Sequence, residues 1–279
     1  MPVVKRPGRR ARKASGGPIP ARRARARRAA AVAASSNGYR TIAYATRDGV
    51  ALVTLNRPHV LNAYNVEMRD ELFSVLQAVD DDPSLRVLVL RGAGRAFCSG
   101  GDVSEFGAAP SPLLARWVRW RRDVWGLLRS LDAVSVAAVH GHAAGSGLEM
   151  ALMCDLVVLA DDAALSLPEC SLGMIPGVGG TQTLPRAVGV ERALELVLTG
   201  RRVDAREAVR IALANRVVPR RALGRVTLEL ARRIAALPPA AVTAVRRCVN
   251  EGCEMSLEEG LALEQRLAAG LWCTEGRPS

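Results

Sequence analysis

No two of the six cysteines (Cys98, Cys154, Cys170, Cys248, Cys253, Cys273) have the Cys-x-x-Cys spacing, and no histidine cluster lies near any of them. This excludes the familiar zinc patterns and gives no disulfide framework, so reduced thiols in a cytoplasmic setting are expected. No apolar run approaches the roughly 18 residues that a membrane-spanning helix needs. The serines and cysteine of the small-residue loops (Ser99, Ser146, Cys98) have no Ser–His–Asp arrangement around them, so a hydrolase triad is a poor reading. His140 and His142 flank Gly141 without a third ligand in view, and no metal site is expected. What remains is a chain of 279 residues with 49% hydrophobic content, enough for a substantial core.

The net charge of +12 suggests nucleic acid until it is divided along the chain. Residues 1–36 hold eleven Lys and Arg and no acid, so the remainder carries only +1. The same stretch has Pro, Gly, Ala and Ser in place of large apolar residues and cannot offset the entropy of ordering, so residues 1–38 are assigned to a disordered Arg-rich extension. Being Arg-rich and acid-free it resembles an organelle transit sequence, but it lacks an amphipathic stripe. Arginine without interleaved aromatics binds nucleic acid non-specifically at best, so a solvated arm is the favoured reading.

Two glutamates twenty residues apart carry the chemistry: Glu149 in His140-Gly-His-Ala-Ala-Gly-Ser-Gly-Leu-Glu149, and Glu169 in Ser166-Leu-Pro-Glu169. The second precedes the glycine-rich run Gly173-Met-Ile-Pro-Gly-Val-Gly-Gly-Thr-Gln182. A carboxylate that follows small residues at the start of a helix can be approached closely, and two of them can hold one water and move its protons. The bland alternative is a structural glutamate paired with an arginine such as Arg186.

Around these loops the pattern is regular. Tyr39 to Ala45 and Val50 to Leu55 read as strands joined by an Arg47-Asp48-Gly49 turn. Asn65 caps a helix running towards Asp80, with Val66, Leu72, Phe73, Leu76 and Val79 at helical spacing. The strand Val87 to Leu90 feeds the loop Arg91 to Asp102. An interrupted helical segment from Pro112 to Leu131, the strand Val134 to Val139, the loop Gly141 to Gly147 and a helix bearing Glu149 follow. Leu156 to Leu159 is a third such strand, leading to Ala164 to Leu167, and from Thr181 the chain is largely helical. Strand, small-residue loop and helix in repetition predict a layered α/β core with its active loops on one edge. Trp117, Trp120 and Trp125 are expected to pack the core or line an apolar channel, and Asp102 and Asp155 to cap turns.

Four segments in order, Asn56-Arg-Pro-His-Val-Leu-Asn-Ala63, Ala96-Phe-Cys-Ser-Gly-Gly-Asp102, Gly141-His-Ala-Ala-Gly-Ser-Gly-Leu-Glu149 and Pro168 to Gln182, resemble the enoyl-CoA hydratase/isomerase (crotonase) superfamily. The resemblance covers residues 39 to 273. It implies a spiral of ββα units over 39–200, with a helical trimerisation region over 201–279 in a homotrimer or homohexamer. The activity implied is addition of water to a 2-enoyl-CoA, giving a 3-hydroxyacyl-CoA. Coenzyme A is then part of the substrate and no separate cofactor is needed. The resemblance implies that Glu149 helps activate the water that attacks C3, while Glu169 supplies and recovers the proton at C2. By motif position the resemblance gives the thioester oxygen two donors, the backbone N–H groups of Ser99 and Ser146, where relatives often have Ala and Gly. CoA contacts fall to the segment Val60 to Ala63 and the loop Phe97 to Val103, including Ser99, Gly100 and Asp102, with Pro168 and Gly177 beside the second glutamate. Arg57 and His59 are expected to supply charge near the phosphates. An enoyl-CoA isomerase or another enolate-stabilising member is the second reading. An RNA-binding protein using the basic arm is the reading from a different class.

Overall fold

A computed structural model describes residues 38–107, 111 and 121–274. The Arg-rich extension, Trp117, Trp120 and the first part of the expected 112–131 helix lie outside the described residues.

Strands β1 (Ile42–Arg47) and β2 (Val50–Leu55) pair antiparallel with Arg47 opposite Val50. The turn leaves Asp48 at φ 53° and Gly49 at φ 73°, the left-handed pair that a two-residue hairpin requires. Helix α1 (Val66–Asp80) begins where expected, because the Asn65 side chain accepts from the Met68 amide at 2.9 Å. Then come β3 (Val87–Gly92), α2 (Val124–Ser130), β4 (Val134–Val139), β5 (His142–Ala144), α3 (Ser146–Leu152), β6 (Leu156–Ala160) and β7 (Ala164–Ser166). After them are α4 (Gly180–Val188), α5 (Val190–Thr199), β8 (Val203–Asp204), α6 (Ala205–Arg210), β9 (Arg216–Val218), α7 (Leu223–Ala235), α8 (Pro239–Gly252) and α9 (Leu257–Thr274).

The strands form a six-stranded sheet in the order β1-β2-β3-β4-β6-β9 and a three-stranded sheet in the order β5-β7-β8. From β2 to β9 the large sheet is parallel, so its strands are covered on both faces and read as apolar runs. Alternation along each strand divides the core in two. Leu88 and Leu90 of β3 and Ala137 and Val139 of β4 face a cluster completed by Met68, Leu72, Val75 and Leu76 of α1. Val87 and Val89, with Val134, Val136 and Ala138, face the other cluster, closed by Leu223, Ala231 and their partly buried neighbours Leu228, Leu230 and Ile234 of α7. Asp155 anchors the sheet's centre: it accepts from the Ser135 amide and hydroxyl at 2.8 Å each and pairs with Arg246 of α8 at 2.7 Å.

Three strands depart from the sequence reading. The Gly141–Gly147 loop contains β5, and β8 and β9 arise inside the expected all-helical region. β8 pairs with β7 and β9 extends the large sheet from β6, so both sheets take a strand from beyond residue 200. No helix among the described residues is long and apolar enough to cross a membrane.

Candidate active site

The small sheet delivers the two glutamates. β5 and β7 run parallel, with Ala144 opposite Ser166, and the Gly145 amide donates to the Ser166 carbonyl at 3.0 Å. The chain leaves both strands at the same end, one into α3 and Glu149, the other into the 3-10 turn Glu169–Leu172. Both side chains are buried, Glu149 at 1% exposure and Glu169 at 9%. Gly145, just before α3, has φ 50°, and a β-carbon there would come within 2.7 Å of Glu169 Oε1.

The glycine-rich run is a clamp for Glu149. Its Oε1 accepts from the Val178 amide at 2.9 Å and the Gly180 amide at 2.8 Å, while a β-carbon on Gly180 would lie 3.0 Å from the same oxygen. The other oxygen, Oε2, is buried without a protein partner, and so is Oε2 of Glu169. Burial pushes the Glu149 carboxyl up to about 7, against the two amides that favour its ionised form, and the neighbouring Glu169 adds to the rise. Burial also raises Glu169. Arg186 pairs instead with Glu254 at 3.0 Å, so the structural alternative for these glutamates fails with that arginine. Two desolvated carboxyls with an open oxygen each can share a water and exchange protons with whatever it touches.

The two candidate oxyanion donors differ in what their N–H groups meet. Ser146 is the first residue of α3, so its N–H has no intrahelical acceptor. The Ser99 N–H, by contrast, is spent on the Leu61 carbonyl at 3.0 Å. The neighbouring Gly101 has an N–H of different orientation. Tyr64 and Gly101 form a parallel bridge in which the Tyr64 amide bonds the Gly100 carbonyl at 2.8 Å and the Asp102 amide bonds the Tyr64 carbonyl at 2.8 Å. In that pairing the Gly101 N–H points away from Tyr64. A β-carbon on Gly101 would sit 3.9 Å from Ser146 Oγ, which sets the two loops side by side. The signal was in the sequence, since a glycine pair at 100–101 permits close backbone approach.

The remaining candidates divide by exposure. Val60 and Val103 are open to solvent, at 37% and 71%, Gly177 is exposed, and Pro168 is partly covered. Phe97 is fully buried in the core and Ala63 is 8% exposed with its carbonyl held by Arg57 at 2.6 Å, so neither side chain offers a contact surface. Gly100 is likewise buried. Arg57 is committed to Asp102 at 2.8 Å, and Asp102 also caps the next turn by accepting from Ser104. That pair ties the 57–63 loop to the 97–102 loop. His59 remains exposed on the short turn Pro58–Val60. The sequence reading missed Asn62, which is fully buried at φ 57° and donates to the Ala93, Ala96 and Phe97 carbonyls at 2.9, 2.8 and 3.1 Å. Asparagine's tolerance of the left-handed region is the signal that could have marked it.

Residues 45–275 match the family model described as enoyl-CoA hydratase/isomerase. The chain belongs to this family. Among curated members, the 2,3-dehydroadipyl-CoA hydratase of Escherichia coli is 38% identical over 228 residues, covering 82% of this chain and 89% of that one. The crystal structure of an enoyl-CoA hydratase from Bacillus anthracis superposes with a TM-score of 0.81 at 35% identity, covering 85% of this chain and 92% of its own. A family structure from Thermobifida fusca, solved in complex with CoA, gives a TM-score of 0.80 at 34% identity, covering 86% of this chain and 96% of that chain. The crotonase-type α/β fold implied by the four segments is therefore the fold of this chain.

Proposed function

We propose that this chain is an enoyl-CoA hydratase. The observation that carries the reading is the pair of buried glutamates, each with one oxygen left without a protein partner. The thioester oxygen of a 2-enoyl-CoA accepts from the Gly101 and Ser146 N–H groups, where the positive end of α3 stabilises the charge that moves onto it. Glu149, oriented by the two amides on Oε1, takes a proton from the water whose oxygen bonds to C3. Glu169 gives its proton to C2, so hydroxyl and hydrogen end on adjacent carbons, and proton return between the two acids resets the pair. The product is the 3-hydroxyacyl-CoA. Relatives named as CoA-thioester hydratases, and a family structure holding CoA, support this class of substrate.

The test is hydration of crotonyl-CoA followed by loss of enoyl absorbance. Glu149→Gln and Glu169→Gln should each lower kcat by about 10²-fold or more, the range of general acid–base catalysis, with melting unchanged. Near wild-type hydration by either variant removes that glutamate from the mechanism. Migration of the double bond without uptake of water would assign the isomerase reaction instead.

A further inference from the structure

One apolar side chain beside the oxyanion loop is not accounted for by the acid pair or the amides. Phe106 follows the 3-10 turn Val103–Glu105 and is 40% exposed, yet its ring is aimed at Gly101. A β-carbon on Gly101 would lie 3.2 Å from Phe106 Cζ and 3.4 Å from Cε1, with Ser146 Oγ 3.9 Å away. The β-carbon direction is perpendicular to the plane of the Tyr64–Gly101 bridge, and the Gly101 N–H lies in that plane. The ring therefore packs on the flat side of the glycine backbone and leaves the line of the amide open.

The turn that carries the ring is pinned at both ends. Asp102 pairs with Arg57 at 2.8 Å and accepts from the Ser104 hydroxyl at 2.7 Å. Glu105 accepts from the Val66 amide at the start of α1, 3.1 Å from each of its oxygens, where the helix dipole favours a carboxylate. The Phe106 amide closes the turn on the Val103 carbonyl at 3.1 Å. A partly exposed phenyl held in a fixed place beside a polar site is a contact surface for the apolar part of a ligand.

We infer that Phe106 is a specificity-determining wall that sets the width of the site at the first carbons of the acyl chain and selects thioesters unbranched at C2. This rests on the proposed acyl-CoA substrate: an oxygen held by the Gly101 amide places the thioester carbon, and hence C2, within reach of the ring that covers Gly101. The turn's anchors fix the backbone from which the ring projects. Ser146, near the same glycine, supplies the polar side of the same opening.

Calorimetric titration of the full chain with two saturated thioesters, butyryl-CoA and its 2-methyl-branched isomer isobutyryl-CoA, tests this without turnover. The wild type should bind the straight chain about tenfold more tightly, the lower end of what one methyl group discriminates in a fitted pocket. Phe106→Ala should bring the two affinities to within about threefold by gaining on the branched ligand, with Phe106→Leu in between. Because the ring is partly exposed, the fold should tolerate both changes, and the leucine variant alone decides the matter if alanine lowers the melting temperature. Equal weakening of both ligands, or an unchanged ratio, overturns the assignment. Selective binding by a wild type that adds no water to crotonyl-CoA would support the wall and refute hydration, whereas binding of neither thioester overturns both.

Discussion

Glu149 has the most consequential environment of any single residue in this chain. Its carboxyl holds a proton up to about 7, so the folded protein binds that proton more tightly than the unfolded chain, whose ordinary value is 4.5. Its contribution to stability is therefore fullest below about 4.5 and is lost as pH rises through about 7. A shift of that size corresponds to about 3 kcal/mol, since each pKa unit is worth about 1.4 kcal/mol. Glu149→Gln has no proton to lose and should be less sensitive to pH across this window. Urea midpoints of wild type and variant on either side of it check the difference, and parallel pH profiles would refute the buried-acid account.

At the scale of elements, the short turns joining β5 to α3 and β7 to Glu169 hold the chemistry in register. Gly145→Ala places a methyl 2.7 Å from Glu169 Oε1 at a residue with φ 50°. With ψ at −126° the backbone lies outside the left-handed helical well, and a non-glycine residue there costs about 1–3 kcal/mol. The displaced carboxylate should cost about 10²-fold in kcat, read against melting to separate the two effects. The start of α3 gives a sharper contrast. Ser146→Pro removes the amide at a position where proline's fixed φ suits a helix start, and kcat should fall by about 10²-fold, as for loss of one oxyanion donor. Ser146→Ala keeps the amide and should stay near wild type in crotonyl-CoA hydration; a large loss there would transfer the role to the hydroxyl.

Over the whole molecule, the apolar surface tells which helices are free for assembly. The expected helical region 201–279 carries three apolar groups: Ala205, Ala208, Val209 and Ala212, then Leu228, Leu230, Ile234 and Leu237, then Leu257, Leu261 and Leu267. Much of the first two groups is used internally: Ala205 and Ala208 are buried, and Leu228, Leu230 and Ile234 pack on the large sheet through α7. The uncovered stripes lie elsewhere, at Val190, Leu194 and Leu198 on α5 (60%, 53% and 67% exposed) and at Val245 and Val249 on α8 (63% and 58%). Leu257 and Leu261 at the start of α9 remain open, at 80% and 50%. Four-residue spacing puts each set on one helix face, and such a surface is covered in a closed oligomer. Light scattering on a sizing column should give a trimer or hexamer, and Leu194→Glu with Leu198→Glu should reduce its order. An active monomer of wild type would end this proposal.

The hairpin, the cap at Asn65, the apolar strands 87–90 and 134–139 and both glutamates were legible in the sequence, because each rests on local chemistry: left-handed turn residues, a capping side chain, buried parallel strands, small residues before an acid. What the local signals could not carry is pairing across distance. β5, β8 and β9 are two or three residues each, too short for periodicity, and exist only because β7 and β6 offer them partners. The proposed exchange of Ser99 for Gly101 as amide donor has the same origin, since the orientation of an N–H depends on which carbonyls its neighbours find, and those belong to Leu61 and Tyr64 on another loop. The commitment of Arg57 to Asp102, 45 residues away, likewise depends on tertiary contact. Residue types determined which chemistry is possible in this chain; the packing of its loops determined which atoms are free to perform it.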